Sequence, residues 1–114
     1  MFLFVCIKPT FIEDRKEMEN IFLPNQRSII LQGLEKDASR TLSNEMLQRL
    51  LKTYGHTVSL ADVNTLINWL EVRGFVMAER LSDKGLVLAH LTRAGLDVAL
   101  GYCRVEGIEP PFMD

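Results

Sequence analysis

Gly74 divides the two clearest patterns in the chain, and that division constrains the fold more than any other feature. Before it, "SLADVNTLINWLEVR" repeats its apolar residues at helical spacing, with Leu60, Val63, Leu66, Ile67 and Leu70 on one face. Ser59 with Asp62 three residues on forms a variant capping box, and the acid suits the positive end of the helix. After Gly74, "FVMAERL" and "LVLAHL" are extended runs rich in strand formers. Between them "SDKG" is a turn in which Gly85 is free to adopt a positive φ. The pattern predicts a helix ended by Gly74 and then a β-hairpin.

Two helices are expected upstream. In "NQRSIILQGLEKD", Ile29, Ile30 and Leu34 recur at helical spacing, and Asn25 is the expected cap. Gly33 weakens this helix by about 1 kcal/mol relative to Ala, which suggests a close helix contact there. "ASRT" reads as a polar link. Ser43 then caps "NEMLQRLLKTYG", whose stripe is Met46, Leu47, Leu50, Leu51 and Tyr54, with Gly55 as a left-handed stop. Downstream of the hairpin, Thr92 caps "RAGLDVALG", where the small residues Ala94, Gly95 and Ala99 permit close packing.

The order is helix, helix, helix, strand, strand, helix: a mainly α domain with a β-hairpin, in the winged helix-turn-helix arrangement, over residues 25–101. The alternative is a small helical bundle in which the hairpin is a helix; Gly74 and the SDKG turn argue against it. Residues 1–24, interrupted by Pro9 and Pro24, read as an N-terminal arm. Met18 is an alternative start, which would leave residues 1–17 upstream of the protein. Residues 102–114 read as an irregular tail.

The bulk composition narrows the function classes. The 114 residues suit one domain, and 47% apolar with 25% charged residues is ordinary for a soluble globular protein. With 13 basic and 15 acidic side chains the net charge is -2, so any affinity for nucleic acid rests on a local patch. Cys6 and Cys103 lie outside any paired motif and read as reduced thiols in a cytoplasmic protein. His56 and His90 show no ligand spacing with them, so no metal site or cofactor is expected. Each histidine reads as a turn or half-buried strand residue. No Gly-rich phosphate loop and no nucleophile–base motif is present, and the chain reads as a non-enzyme. The opening "MFLFVCI" is too short to span a bilayer.

Three stretches carry a family resemblance: "GHTVSLADVNTLINWLEVRGFV", "LTRAGLDVALG" and "RVEGIEPP". Together they resemble a group of small winged-helix proteins encoded in Mu-like bacteriophages and prophages. The resemblance covers residues 18–111, and its more specific parts are "LTRAGLDVA" and "RVEGIEPP". It implies a phage or prophage origin, hence the cytoplasm of a bacterial host, and a winged-helix fold. It implies no catalytic residues.

In a winged helix of the usual type the third helix lies in the major groove. On a helical wheel, Val63, Ile67 and Leu70 centre the buried stripe, and Ala61, Thr65, Asn68 and Val72 face away. Asn64 and Glu71 lie to one flank and Trp69 to the other. The candidate base readers are Asn64, Thr65 and Asn68: asparagine can pair with adenine through two hydrogen bonds, and threonine can meet a thymine methyl. The candidate phosphate contacts are Arg40, Arg49, Lys52, Arg80 and Lys84, with Arg93 as a sixth. Six such contacts would give a log–log salt slope of about -5. Glu45, Glu79 and Asp83 stand beside several of these cations and would dilute their field.

Plainer readings stand beside these. The two asparagines and Thr65 also read as a solvated face, and Trp69 as a packing residue at the edge of the core. Exposed Ala61 and Val72 would suit a protein partner. Two partners therefore stay open: double-stranded DNA, with regulation of phage genes, or a phage or host protein, with the fold as an adaptor or assembly module. A homodimer fits either.

Overall fold

The computed structural model describes residues 21–81 and 85–111. Most of the expected N-terminal arm, the Met18 start, and the turn residues Asp83 and Lys84 lie outside these. In chain order the elements are α1 (Leu23–Lys36), β1 (Thr41–Ser43), α2 (Asn44–Thr53), α3 (Leu60–Val72), β2 (Val76–Leu81), β3 (Leu86–Leu91) and α4 (Arg93–Ala99). Four helices and a small antiparallel sheet make up the winged-helix arrangement.

Helix α1 begins ahead of Asn25, which is not its cap. Phe22 occupies the cap position without a side-chain bond, and Pro24 sits in the first turn, where its missing N–H would have had no helical partner. Asn25 instead accepts through Oδ1 from His56 Nε2 at 2.8 Å, while Gln26 Nε2 lies 3.2 Å from His56 Nδ1. One tautomer, with the proton on Nε2, satisfies both bonds. The turn between α2 and α3 is thereby tied to the start of α1.

The sheet has three strands where the sequence suggests two, in the order β1-β3-β2. Thr41 pairs with His90 and Ser43 with Leu88; Val76 pairs with Leu91 and Leu81 with Leu86. Half of the "ASRT" link is thus ordered by β3. Arg40 enters β1 through a left-handed φ of 59°, and its carbonyl accepts from the Leu91 N–H at 2.9 Å.

The core is the expected one around α3. Val63, Ile67 and Leu70 are fully buried, with Ile30, Leu31 and Leu34 of α1 and Leu47 and Leu51 of α2. The α2 stripe is narrower than expected, because Met46 and Tyr54 are exposed. The three expected side-chain caps on Ser43, Ser59 and Thr92 are all formed, and Ser59 and Asp62 complete the capping box.

Two glycines mark close approaches. A Cβ on Gly33 would come within 2.3 Å of Leu50 Cδ2, and one on Gly95 within 2.1 Å of the Phe75 carbonyl oxygen. The first lets α2 approach α1, and the second seats α4 against the chain leaving α3. Ala94, also expected to pack closely, is exposed. Residues 102–111 form neither helix nor strand, but Ile108 is buried with the core and the Glu109 N–H donates to the Pro24 carbonyl at 3.1 Å.

Candidate nucleic-acid interface

The exposed side of α3 and the wing formed by β2 and β3 enclose a depression of about 370 Å³. Its lining includes Asn64, Asn68, Arg80, Gly85 and Val87. Two candidate base readers and one candidate phosphate contact are therefore brought together. Thr65 is exposed on the same helix, and its hydroxyl donates to the Ala61 carbonyl at 3.1 Å, leaving its methyl and lone pairs to solvent.

Alternation along β2 explains why Arg80 belongs to this site and Glu79 does not. Successive strand residues point to opposite faces. Arg80 turns toward α3, where Nη2 donates to Asn68 Oδ1 at 2.6 Å and to Glu71 Oε1 at 2.8 Å. Glu79 turns to the other face and meets His90 Nε2 at 3.1 Å. The carboxylate in contact with Arg80 is Glu71. The hydrogen bond from Arg80, more than its charge, holds the Glu71 carboxyl below the usual carboxylate range, and the same bond raises the Arg80 pKa.

Asn64 is half-buried and held from below by Asn44, the first residue of α2 and fully buried. Asn44 Nδ2 donates to Asn64 Oδ1 at 3.0 Å and to the Gly85 carbonyl at 3.2 Å, and its Oδ1 faces the Val87 N–H at 3.4 Å. One buried amide thus joins α2, α3 and the turn end of the wing. Sequence reasoning does not single out Asn44, because a polar residue after the Ser43 cap reads as part of the helix start. Its only signal is an asparagine where a helix's first turn offers no reason for one.

The remaining cations are dispersed. Arg49 and Lys52, both exposed, border a second depression of about 270 Å³ with Gln48, Thr57 and Val58, beside the turn into α3. Arg40 lies at the sheet edge and lines neither depression. Lys84 falls outside the described residues.

Trp69, on the other flank of α3, is a packing residue. The Arg27 and Arg73 guanidinium carbons stand 3.8 and 3.6 Å from its ring centroid, within cation–π range. Arg27 Nη1 also donates to the Gly107 carbonyl at 3.0 Å. Burial, and then the charge of Arg73, lower the Arg27 pKa from its usual value. Among the described residues no group of three potential metal ligands occurs, and no helix is long and apolar enough to cross a membrane.

No family model matches the chain. It is 35% identical over 94 residues to uncharacterized protein gp26 of Escherichia phage Mu, covering 82% of this chain and 95% of that one. It is 31% identical over 88 residues to an uncharacterized protein of Haemophilus influenzae, covering 75% and 81% of the two chains. Among solved structures, it resembles the Lactococcus lactis ZitR C30AH42A mutant in its apo form, with a TM-score of 0.53 at 19% identity over 84% of this chain and 71% of that one. It also resembles AbsC, a MarR family transcriptional regulator from Streptomyces coelicolor, with a TM-score of 0.54 at 20% identity over 83% and 73%. At these identities the structural likeness is one of fold, and that fold is the winged helix.

Proposed function

The chain belongs to the family of the phage Mu protein gp26, and on that premise we propose that it is a DNA-binding protein of phage or prophage origin, acting in the bacterial cytoplasm to regulate transcription. The observation that carries this reading is the depression between α3 and the wing, where Asn64, Asn68 and Arg80 converge. In the bound state α3 enters the major groove. Asn64, Thr65 and Asn68 meet base edges, while Arg40, Arg49, Lys52, Arg80 and Lys84 hold the backbone. The likeness to ZitR and to a MarR family transcriptional regulator supports the same reading. Two copies would place two such helices on successive half-sites roughly 34–36 Å apart.

The test is binding of the full chain to random-sequence duplex across a salt series. Five fully engaged phosphate contacts give a log–log slope of roughly -4.5, and the pairing of Arg80 with Glu71 leaves the wild type about one contact short of it. Absence of retention at low salt defeats the proposal. A second reading, as a protein-interaction module, is favoured by one specific observation: Val72 is 80% and Met77 65% exposed, with Leu81 also exposed. Under that reading charge-reversing Arg80 leaves partner binding intact.

A further inference from the structure

The two candidate asparagines are not free to present either end of their amides, and this bears on which bases they can read. The inference rests on the DNA-binding reading above. The backbone sets the first orientation. The Gly85 carbonyl can only accept, so the Asn44 atom facing it is Nδ2; the Val87 N–H can only donate, so the atom facing it is Oδ1. Asn44 Nδ2 then requires an acceptor on Asn64, and that atom is Oδ1, at 3.0 Å. A guanidinium can only donate, so the Asn68 atom 2.6 Å from Arg80 Nη2 is likewise its Oδ1. Both side-chain carbonyls are engaged by the protein. Among the described residues neither Nδ2 has a partner.

We propose that Asn64 and Asn68 read the major groove as hydrogen-bond donors and select guanine. The fork that asparagine makes to adenine needs its carbonyl and its amide together, one accepting from N6 and the other donating to N7. Here each carbonyl is turned toward a donor of the protein, Asn44 or Arg80, so that, although the oxygen keeps a second lone pair, the two ends of the amide do not face one base together. An outward NH2 group finds one acceptor on adenine, N7, beside the N6 donor, and only a donor on cytosine N4, whereas guanine offers two acceptors, O6 and N7, side by side. Thymine offers one acceptor and its methyl, the weaker match. Residues four apart on a helix stand roughly 5–6 Å apart, close to two base steps of about 3.4 Å each. Asn64 and Asn68 therefore reach two guanines with one base pair between them.

Selection of the full chain against a random duplex library tests this. The enriched duplexes carry guanine at two positions separated by one intervening base pair. Replacing either guanine by 7-deazaguanine, which lacks the N7 acceptor, weakens binding about tenfold. Arg80→Met, at an exposed side chain, frees the Asn68 amide to rotate; re-selection with this variant admits adenine beside guanine at one position only. Enrichment of adenine at both positions by the wild-type chain, or indifference to 7-deazaguanine, overturns the inference while DNA binding stands. Retention of no duplex at low salt overturns the DNA reading and this inference with it.

Discussion

Arg80 on the wing and Glu71 on α3 meet at 2.8 Å, so this cation beside the exposed side of the helix already has a counter-charge within the protein. The same guanidinium nitrogen holds Asn68 at 2.6 Å. Under the proposed DNA-binding role, a phosphate that recruits Arg80 competes with an internal carboxylate.

Glu71→Gln removes the competitor and keeps the shape. Affinity for duplex DNA is expected to rise roughly threefold, the scale of an exposed ion pair. The log–log salt slope is expected to steepen by about 1 as Arg80 becomes fully available. Fluorescence anisotropy between low and physiological salt measures both. An unchanged slope would mean that Arg80 does not touch phosphate.

The pair also fixes a pH dependence. Folding lowers the pKa of Glu71, chiefly through the bond from Arg80, so the stabilisation is present above the unfolded carboxyl value of about 4.3. It is lost as pH falls through the lower folded value. Denaturation curves of the wild type and Arg80→Met are expected to be fully separated above the unfolded carboxyl value of about 4.3 and to draw together as pH falls below it.

Asn44→Ala leaves the Val87 N–H, the Gly85 carbonyl and Asn64 Oδ1 without their partner. Each buried polar group left unpaired costs about 1–3 kcal/mol, less where water enters. A loss of about 2 kcal/mol in urea denaturation is expected. Hydrogen exchange is expected to quicken at Val87 and in β3 before it does in α1.

The two tight glycines should respond differently. Gly95→Ala drives a methyl into the Phe75 backbone carbonyl, which cannot swing away, and about 2–3 kcal/mol of destabilisation is expected. Gly33→Ala meets only the far end of the Leu50 side chain. A rotamer change can absorb that contact, and the helix gains about 1 kcal/mol of propensity. Thermal melts of the two variants are expected to differ by several degrees.

The parts of this fold that were legible in the sequence are those where local chemistry and the hydrophobic pattern agree. Ser59 and Asp62 mark the start of α3, Gly74 marks its end, and Val63, Ile67 and Leu70 keep one face, so three signals point to one helix. Strand β1 was not legible, because three residues are too few to show a period and Thr41–Ser43 become a strand only by pairing with β3. Met46 and Tyr54 have the right spacing for burial, but they sit at the margins of a narrow stripe and are exposed. The outward positions of Thr65 and Asn68 could be read from a helical wheel. The orientation of each asparagine amide could not. It depends on Asn44, twenty positions before Asn64, and on Arg80, twelve after Asn68, and periodicity carries no information about such partners.

The stack of Arg27 and Arg73 on Trp69 has a practical consequence. The chain contains one tryptophan, so all of its indole emission comes from the place where α1, the end of α3 and the tail at Gly107 meet. A Cβ on Gly107 would press within 2.9 Å of that ring. The protein thus carries its own optical gauge: undocking of the tail changes the wavelength and quenching of a single fluorophore, and no label is required to follow it.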